Sequence, residues 1–122
     1  MPPATIIGVV DDDPGVRGSI DSFIRSSGMQ TLEFASAEAL LCSGLQSALA
    51  CIVTDVHMPG LSGLDLQREI MRRGWMHPLI MMTAFPTPEA REQAMRAGAV
   101  AFLTKPIDPD CLLNTIERVT GL

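Results

Sequence analysis

Asp11, Asp55, Thr83 and Lys105 each stand just past a short apolar run, and together they offer carboxylates, a hydroxyl and an ammonium. Ile6-Ile7-Gly8-Val9-Val10 leads into Asp11-Asp12-Asp13, and Cys51-Ile52-Val53-Thr54 leads into Asp55. Leu79-Ile80-Met81-Met82 leads into Thr83, and Ala99-Val100-Ala101-Phe102-Leu103-Thr104 into Lys105-Pro106. Asp11, Asp12 and Asp55 cannot share a site as bare anions, because like charges at short range raise a pKa or demand a cation. Hard carboxylate oxygens suit Mg²⁺ or Mn²⁺. Mg²⁺ often takes only one or two carboxylates and completes its shell with waters and phosphate oxygens. A metal there would draw in a phosphoryl donor, and Asp55 is then a candidate nucleophile giving an aspartyl phosphate. Lys105 can place positive charge on phosphoryl oxygens, and Thr83 can donate a hydroxyl hydrogen bond.

Each residue also has a plainer reading. Asp11-Asp12-Asp13 before Pro14 suits a helix start, where acids are favoured, although one cap uses one Asp and not three. Asp55 ahead of Met58-Pro59-Gly60 suits a tight turn. Thr83 alone is an ordinary strand-end residue, and Lys105 alone is an ordinary solvated lysine. The inference rests on the order of the four and on their shared place at strand ends.

The elements that must position them follow from periodicity. Strand-like and helix-like segments alternate throughout, which predicts an α/β fold with a parallel sheet. Asp13 caps a first helix with Pro14 at its first position, carrying Val16, Ile20, Phe23 and Ile24 and ending at Gly28. Met29 to Ala35 reads as a strand with Leu32 and Phe34 on one face, and Ser36 caps a short helix through Ala37, Leu40 and Leu41. Cys51 to Thr54 is the third strand. After the loop from Asp55 to Gly63, a third helix carries Leu64, Leu66, Ile70 and Met71 to Gly74. The fourth strand is Leu79 to Met82, and Pro86-Thr87-Pro88 separates it from a helix over Glu89 to Arg96. The fifth strand is Ala99 to Leu103. Asp108 or Pro109 opens a last helix with Leu112, Leu113, Ile116 and Val119 at core spacing. The sum is (βα)5. Right-handed crossovers put helices on both faces of a sheet that grows both ways from its first strand. The strands' carboxyl ends then share one rim, where open α/β folds build their sites.

At 122 residues with 47% hydrophobic content, the chain is sized for one globular domain with a real core. No apolar run nears the ~20 residues of a membrane span. Met1-Pro2-Pro3-Ala4-Thr5 carries no secretory signal pattern. A net charge of −5 without a basic stripe argues against direct nucleic-acid binding by this segment. Cys42, Cys51 and Cys111 are odd in number and without a CxxC, so reduced, buried cysteines in a cytoplasmic protein are expected. Met71, Met81 and Met82 fall at core spacing. His57 reads as a solvent-facing loop residue, His77 as structural, and Trp75 as a loop anchor.

Taken together, Val9-Val10-Asp11-Asp12-Asp13, Thr54-Asp55-Val56-His57-Met58-Pro59-Gly60, Ser62-Gly63-Leu64-Asp65, Met82-Thr83-Ala84, Gly98-Ala99 and Phe102-Leu103-Thr104-Lys105-Pro106 resemble the receiver domain of two-component response regulators. The resemblance covers essentially all of residues 1–122, and the middle stretch is most similar to the FixJ-type subfamily. It implies a CheY-like, doubly wound five-stranded parallel sheet in order 2-1-3-4-5. It implies that Asp55 accepts a phosphoryl group from a histidine kinase or phosphotransfer protein. It also implies that Asp12, Asp55 and the backbone carbonyl of His57 bind Mg²⁺ (Mn²⁺ as the substitute), with Asp11 acting through a bound water. Thr83 and Lys105 would bind the phosphoryl group, and Thr83 with Phe102 would form the switch. Pro106 is a candidate cis proline. Dimerisation through the fourth helix, fifth strand and fifth helix is the expected output. The domain either stands alone or belongs to a longer chain with a C-terminal, DNA-binding effector.

One feature departs from the family pattern: Ala84-Phe85-Pro86-Thr87-Pro88 is proline-rich and apolar. Proline restricts its own φ and the residue before it, so this loop is expected to stiffen the segment that moves on activation. Phe102, lacking a hydroxyl, could turn inward without burying an unsatisfied polar group. Two other functions fit an aspartate-rich α/β rim less well. An Mg²⁺-dependent phosphatase of the haloacid dehalogenase type needs a second Asp two residues past its nucleophile; position 57 is His57, and although Asp11 and Asp13 have that spacing, Gly15 stands where that family has a Thr or Val. A flavodoxin-like flavin binder needs a Ser/Thr/Gly-rich phosphate loop, and Asp11-Asp12-Asp13-Pro14 would repel a phosphate.

Overall fold

The computed structural model describes residues 5–121. The reading of Met1 to Ala4 and the terminal Leu122 lie outside them. The elements are β1 (Ile6–Val10), α1 (Pro14–Ser26), β2 (Gln30–Phe34), α2 (Ala37–Leu41), a 3-10 turn (Gln46–Ala48), β3 (Cys51–Asp55), α3 (Gly63–Arg72), β4 (Leu79–Thr83), α4 (Pro88–Arg96), β5 (Ala101–Thr104) and α5 (Pro109–Thr120). The strands form one parallel sheet in order β2-β1-β3-β4-β5. This is the expected doubly wound α/β fold. No described helix is long and apolar enough to cross a membrane.

β3 and β4 are buried along their whole lengths, so their sequences are continuous rather than alternating, as central parallel strands require. The pleat still sorts their side chains. Ile52 and Met81 join Val10, Phe34, Leu40, Leu66 and Ala94 on one face, under α2, α3 and α4. Val53, Ile80 and Met82 join Val9, Ile20, Ile24, Leu112 and Ile116 on the other, under α1 and α5. Each face buries a separate apolar core, at about 25 cal/mol per Å² of surface removed from water.

Four helices start on the polar residue that precedes them. Asp13 accepts hydrogen bonds from the N–H groups of Gly15 and Val16, Ser36 from Ala39, Thr87 from Ala90 and Asp108 from Asp110. α3 has a full capping box: Ser62 accepts from the Asp65 N–H, and Asp65 accepts from the Ser62 N–H. The S-x-x-D spacing of Ser62 and Asp65 was a legible signal for it.

Three expectations need correction, and one element was not expected at all. β5 begins at Ala101, not Ala99, because the Ala99 N–H turns back to the Ala94 carbonyl as α4 exits through Gly98 at φ 99°. The 3-10 turn over Gln46–Ala48 has no apolar period to announce it. Met71 is 57% exposed, on the outer side of α3 next to the buried Ile70. Cys42 and Cys111 are exposed, and only Cys51 is buried; all three are free. Burial pushes the Cys51 thiol up to about 12, so it stays protonated and inert.

Candidate functional site

Parallel register puts the ends of β1, β3, β4 and β5 on one rim. Val10 pairs with Thr54, Asp55 with Met82, and Thr83 with Thr104. Asp11 follows β1, Asp55 ends β3, Thr83 ends β4 and Lys105 follows β5. One carboxylate oxygen from each of Asp11, Asp12 and Asp55 lies within 4.8 Å of the others. Asp11 is fully buried, Asp55 is buried and Asp12 is exposed.

Lys105 bridges two of the three. Its Nζ donates to Asp11 Oδ2 at 2.8 Å and lies 3.4 Å from Asp55 Oδ1. The other Asp11 oxygen accepts the Asp13 N–H at 2.9 Å. Both Asp11 oxygens are therefore committed to protein donors, whereas Asp12 faces solvent. Burial raises the Asp55 carboxyl above its ordinary range. The Lys105 ammonium and the His57 N–H pull it down, but the nearby Asp11 charge adds to the burial and the net direction is up. Burial alone would depress Lys105, yet Asp11 and Asp55 outweigh it and hold the ammonium above its usual value. Acids and cation are thus close-packed and incompletely neutralised. All-oxygen donors of this kind fit Mg²⁺ or Mn²⁺.

Thr83 is fully buried, and its Oγ1 accepts the Phe85 N–H at 3.0 Å, which leaves the hydroxyl proton free to donate. The Lys105 N–H donates to the Thr83 carbonyl at 2.8 Å, so the two residues share one backbone junction. The Lys105–Pro106 peptide is cis. Phe102 is not at the rim. From β5 it pairs with Met81 of β4, packs half-buried on the α4 side, and borders a groove with Pro86, Pro88 and Arg91.

His57 is exposed, with its ring edge-on to Phe85 at 6.2 Å between centroids. His77 lies away from the site, before β4, where its Nε2 donates to the Gln46 carbonyl at 2.6 Å. Trp75 packs against the α3 side of the core beneath Arg73. Both fit their structural readings.

Two supporting residues had no role assigned by the sequence reading, although Gly63 falls within its Ser62-Gly63-Leu64-Asp65 motif. Gly63 opens α3 directly against the Asp55 main chain: a Cβ there would lie 3.0 Å from Val56 Cα and 3.1 Å from the Asp55 carbonyl carbon, and closer still to its oxygen. Arg17 donates from a terminal nitrogen to the Asp11 carbonyl at 2.7 Å. A glycine two residues before the capping Asp65 and an arginine in α1 carry no local signal of these contacts.

The response regulator receiver domain profile matches residues 7–117. The chain is 38% identical over 121 residues to the transcriptional regulatory protein FixJ of Azorhizobium caulinodans, covering 99% of this chain and 57% of FixJ. It is 38% identical over 115 residues to nodulation protein W of Bradyrhizobium diazoefficiens, covering 94% of this chain and 51% of that protein. The chain therefore spans about half the length of these curated relatives. Among solved structures it superposes on FixJ-N with a TM-score of 0.86 at 30% identity, over 98% of this chain and 96% of that one. It superposes on a response regulator receiver protein from Pseudomonas putida with a TM-score of 0.90 at 28% identity, over 97% and 99%. The matched profile runs unbroken from β1 through the aspartates, Thr83 and Lys105 into α5, so the chain belongs to the response regulator receiver domain family.

Proposed function

We propose that this receiver domain is the phosphoacceptor switch of a two-component phosphorelay, with Asp55 as the acceptor and transcription as the controlled output. The observation that carries this is the three-carboxylate cluster within 4.8 Å, held against Lys105. Asp12, Asp55 and the His57 carbonyl would hold Mg²⁺ or Mn²⁺ directly, and Asp11 through a water. Such a cation supplies charge neutralisation to the carboxylates and to incoming phosphoryl oxygens.

An Asp55 oxygen attacks the phosphorus of a phosphohistidine. The new O–P bond forms as the P–N bond breaks, and the departing imidazole nitrogen takes up a proton from solvent. Lys105 exchanges its Asp55 contact for a phosphoryl oxygen while keeping Asp11. Thr83 donates its free hydroxyl proton to another phosphoryl oxygen. Because Thr83 also accepts the Phe85 N–H, that donation draws on the β4–α4 loop and the groove beside Phe102. Phosphorylation then biases a pre-existing equilibrium between two loop arrangements.

Two features support partners. Gly15, Val16, Phe23, Pro106 and Ile107 line an apolar groove of about 270 Å³ beside Lys105, which suits docking of the kinase or phosphotransfer protein that brings the phosphohistidine. The face from α4 through β5 to α5 is the proposed homodimer surface, to be tested by sedimentation with and without phosphorylation; a monomer in both states would overturn it. The partner kinase places the domain in the cytoplasm. The phosphatase reading gains nothing from the structure, since His57 turns to Phe85 at the surface.

Incubation with Mg²⁺ and acetyl phosphate should add one phosphoryl group, detected by mass spectrometry, and Asp55→Asn should abolish it. Modification that persists in Asp55→Asn would sink the assignment. Sustained turnover of phosphate esters would instead favour the enzyme.

A further inference from the structure

We propose that Arg17 is a positioning residue for the divalent cation, acting through the main chain of Asp11 and never touching the ion; this rests on the cation site proposed above. The loop from β1 to α1 is only Asp11-Asp12-Asp13. Asp12 is exposed, so its carboxylate is aimed chiefly by the peptide that carries it. Asp11, which precedes it, is held at both of its main-chain groups. The Asp11 N–H donates to the Phe34 carbonyl of β2 at 3.1 Å, and the Asp11 carbonyl accepts from Arg17 at 2.7 Å. Arg17 is itself fixed. Its backbone N–H donates to the Asp13 carbonyl at 2.9 Å in the first turn of α1, and its Nε lies 3.4 Å from Glu33 Oε1 on β2. Its side chain is only 19% exposed. The planar guanidinium is therefore a brace between α1, the edge strand and the carbonyl of the Asp11–Asp12 peptide.

Without the brace, the peptide can rotate and the ion must itself order the Asp12 carboxylate, which weakens binding. Groups that orient metal ligands at one remove commonly change affinity by about 10–100-fold. This mechanism makes a prediction opposite in sign to simple charge. Deleting a cation near three carboxylates should tighten divalent binding if only Coulomb forces count. It should loosen binding if Arg17 orients a ligand.

The experiment measures Mg²⁺ affinity by calorimetry and Mn²⁺ affinity by paramagnetic resonance on the whole domain, for the parent chain, Arg17→Gln, Arg17→Lys and Arg25→Gln. Arg25→Gln is the charge-matched control, because Arg25 is on the same helix but pairs with Asp21 away from the site. The expected result is about tenfold weaker Mg²⁺ and Mn²⁺ binding in Arg17→Gln. Partial rescue is expected in Arg17→Lys, whose single ammonium can reach the carbonyl without also holding Glu33, and no loss in Arg25→Gln. Melting in EDTA identifies a variant that fails to fold, and Arg17→Lys then decides the question, with weaker binding than the parent chain expected. Affinity within twofold of the parent or tighter, or an equal loss in Arg25→Gln, would overturn the role of Arg17. If the parent chain binds neither cation, the site assignment itself falls, and the positioning role with it.

Discussion

Lys105 is the residue on which the site's electrostatics turn. It is the side-chain cation that reaches both Asp11 and Asp55, and Asp11 has no exposure with which to shed its charge to water. Lys105→Met should therefore destabilise the cation-free domain by about 2–3 kcal/mol, below the full cost of opening a buried pair because the lysine keeps some solvent contact. Added Mg²⁺ should recover more melting temperature in this variant than in the parent, by mass action on a more anionic cluster. Equal melting curves in EDTA would show that Lys105 neutralises nothing. Asp55→Asn should act in the opposite direction. Its carboxyl is held above the ordinary range by burial and by Asp11, so at neutral pH the ionised form is the one the fold disfavours. The neutral amide removes that conflict, and the cation-free variant should gain about 1 kcal/mol in urea denaturation at pH 7, as relieved functional sites do. A loss of stability would mean that the Lys105 contact outweighs the burial.

At the scale of elements, α3 meets the site at Gly63, while α1 reaches it through Arg17 and is tied to β2 through Asp21. Gly63 lets α3 begin against the Asp55 carbonyl, and its own N–H donates to the Val56 carbonyl at 2.8 Å. The obstacle to a Cβ is backbone, which cannot step aside as the end of a side chain could. Gly63→Ala should cost about 2–3 kcal/mol, as overpacking does, and should slow phosphorylation by acetyl phosphate beyond what lost folding explains. Wild-type phosphorylation rates in the folded variant would separate α3 from the site. On α1, Asp21 accepts from the Thr31 hydroxyl of β2 and from Arg25. Partial burial alone would raise its carboxyl, but the Thr31 and Arg25 contacts outweigh burial and leave it below its usual 3.8. A depressed folded pKa stabilises above the unfolded value and is lost as pH falls through the folded one. Asp21→Asn should thus be about 1 kcal/mol less stable than the parent at pH 6. The two should converge as pH drops below 3.8, as read by urea denaturation across that range.

At the scale of the molecule, the loop after β4 joins the site to the proposed dimer face. Thr83 holds the Phe85 N–H, Thr87 caps α4, and Pro88 occupies the first position of that helix. Pro86 and Pro88 border the groove that also contains Phe102. Backbone restricted at two of five residues is harder to rearrange. Proline-to-alanine changes at compatible positions are worth about 0.4–1 kcal/mol each. The double variant Pro86→Ala/Pro88→Ala should shift the active fraction several-fold, seen as movement of the Thr83 and Phe102 amide resonances between unphosphorylated and phosphorylated positions. An unchanged fraction would show that the loop is no stiffer for its prolines.

Much of this was written in the sequence. Apolar runs ending in polar residues fix where strands stop, and the α/β alternation fixes which end of each strand is shared. Asp55, Thr83 and Lys105 could therefore be grouped although 50 residues separate the first from the last, counted as 105 minus 55. Asp13, Ser36 and Asp108 mark helix starts by chemistry that acts within three residues, whereas the cap at Thr87 passed for part of a separating loop. The relations that cross elements were not legible. Neither periodicity nor capping says that Lys105 meets Asp11, 94 positions away, more closely than Asp55. Nor do they say that Gly63 is small because Asp55 lies beneath it, that Arg17 reaches back to the Asp11 carbonyl, or that Met71, Cys42 and Cys111 face solvent. Sequence patterns record each residue's relation to its own helix or strand. Burial, charge pairing and close approach are relations between elements, and only the packed sheet with its two helical layers sets those distances.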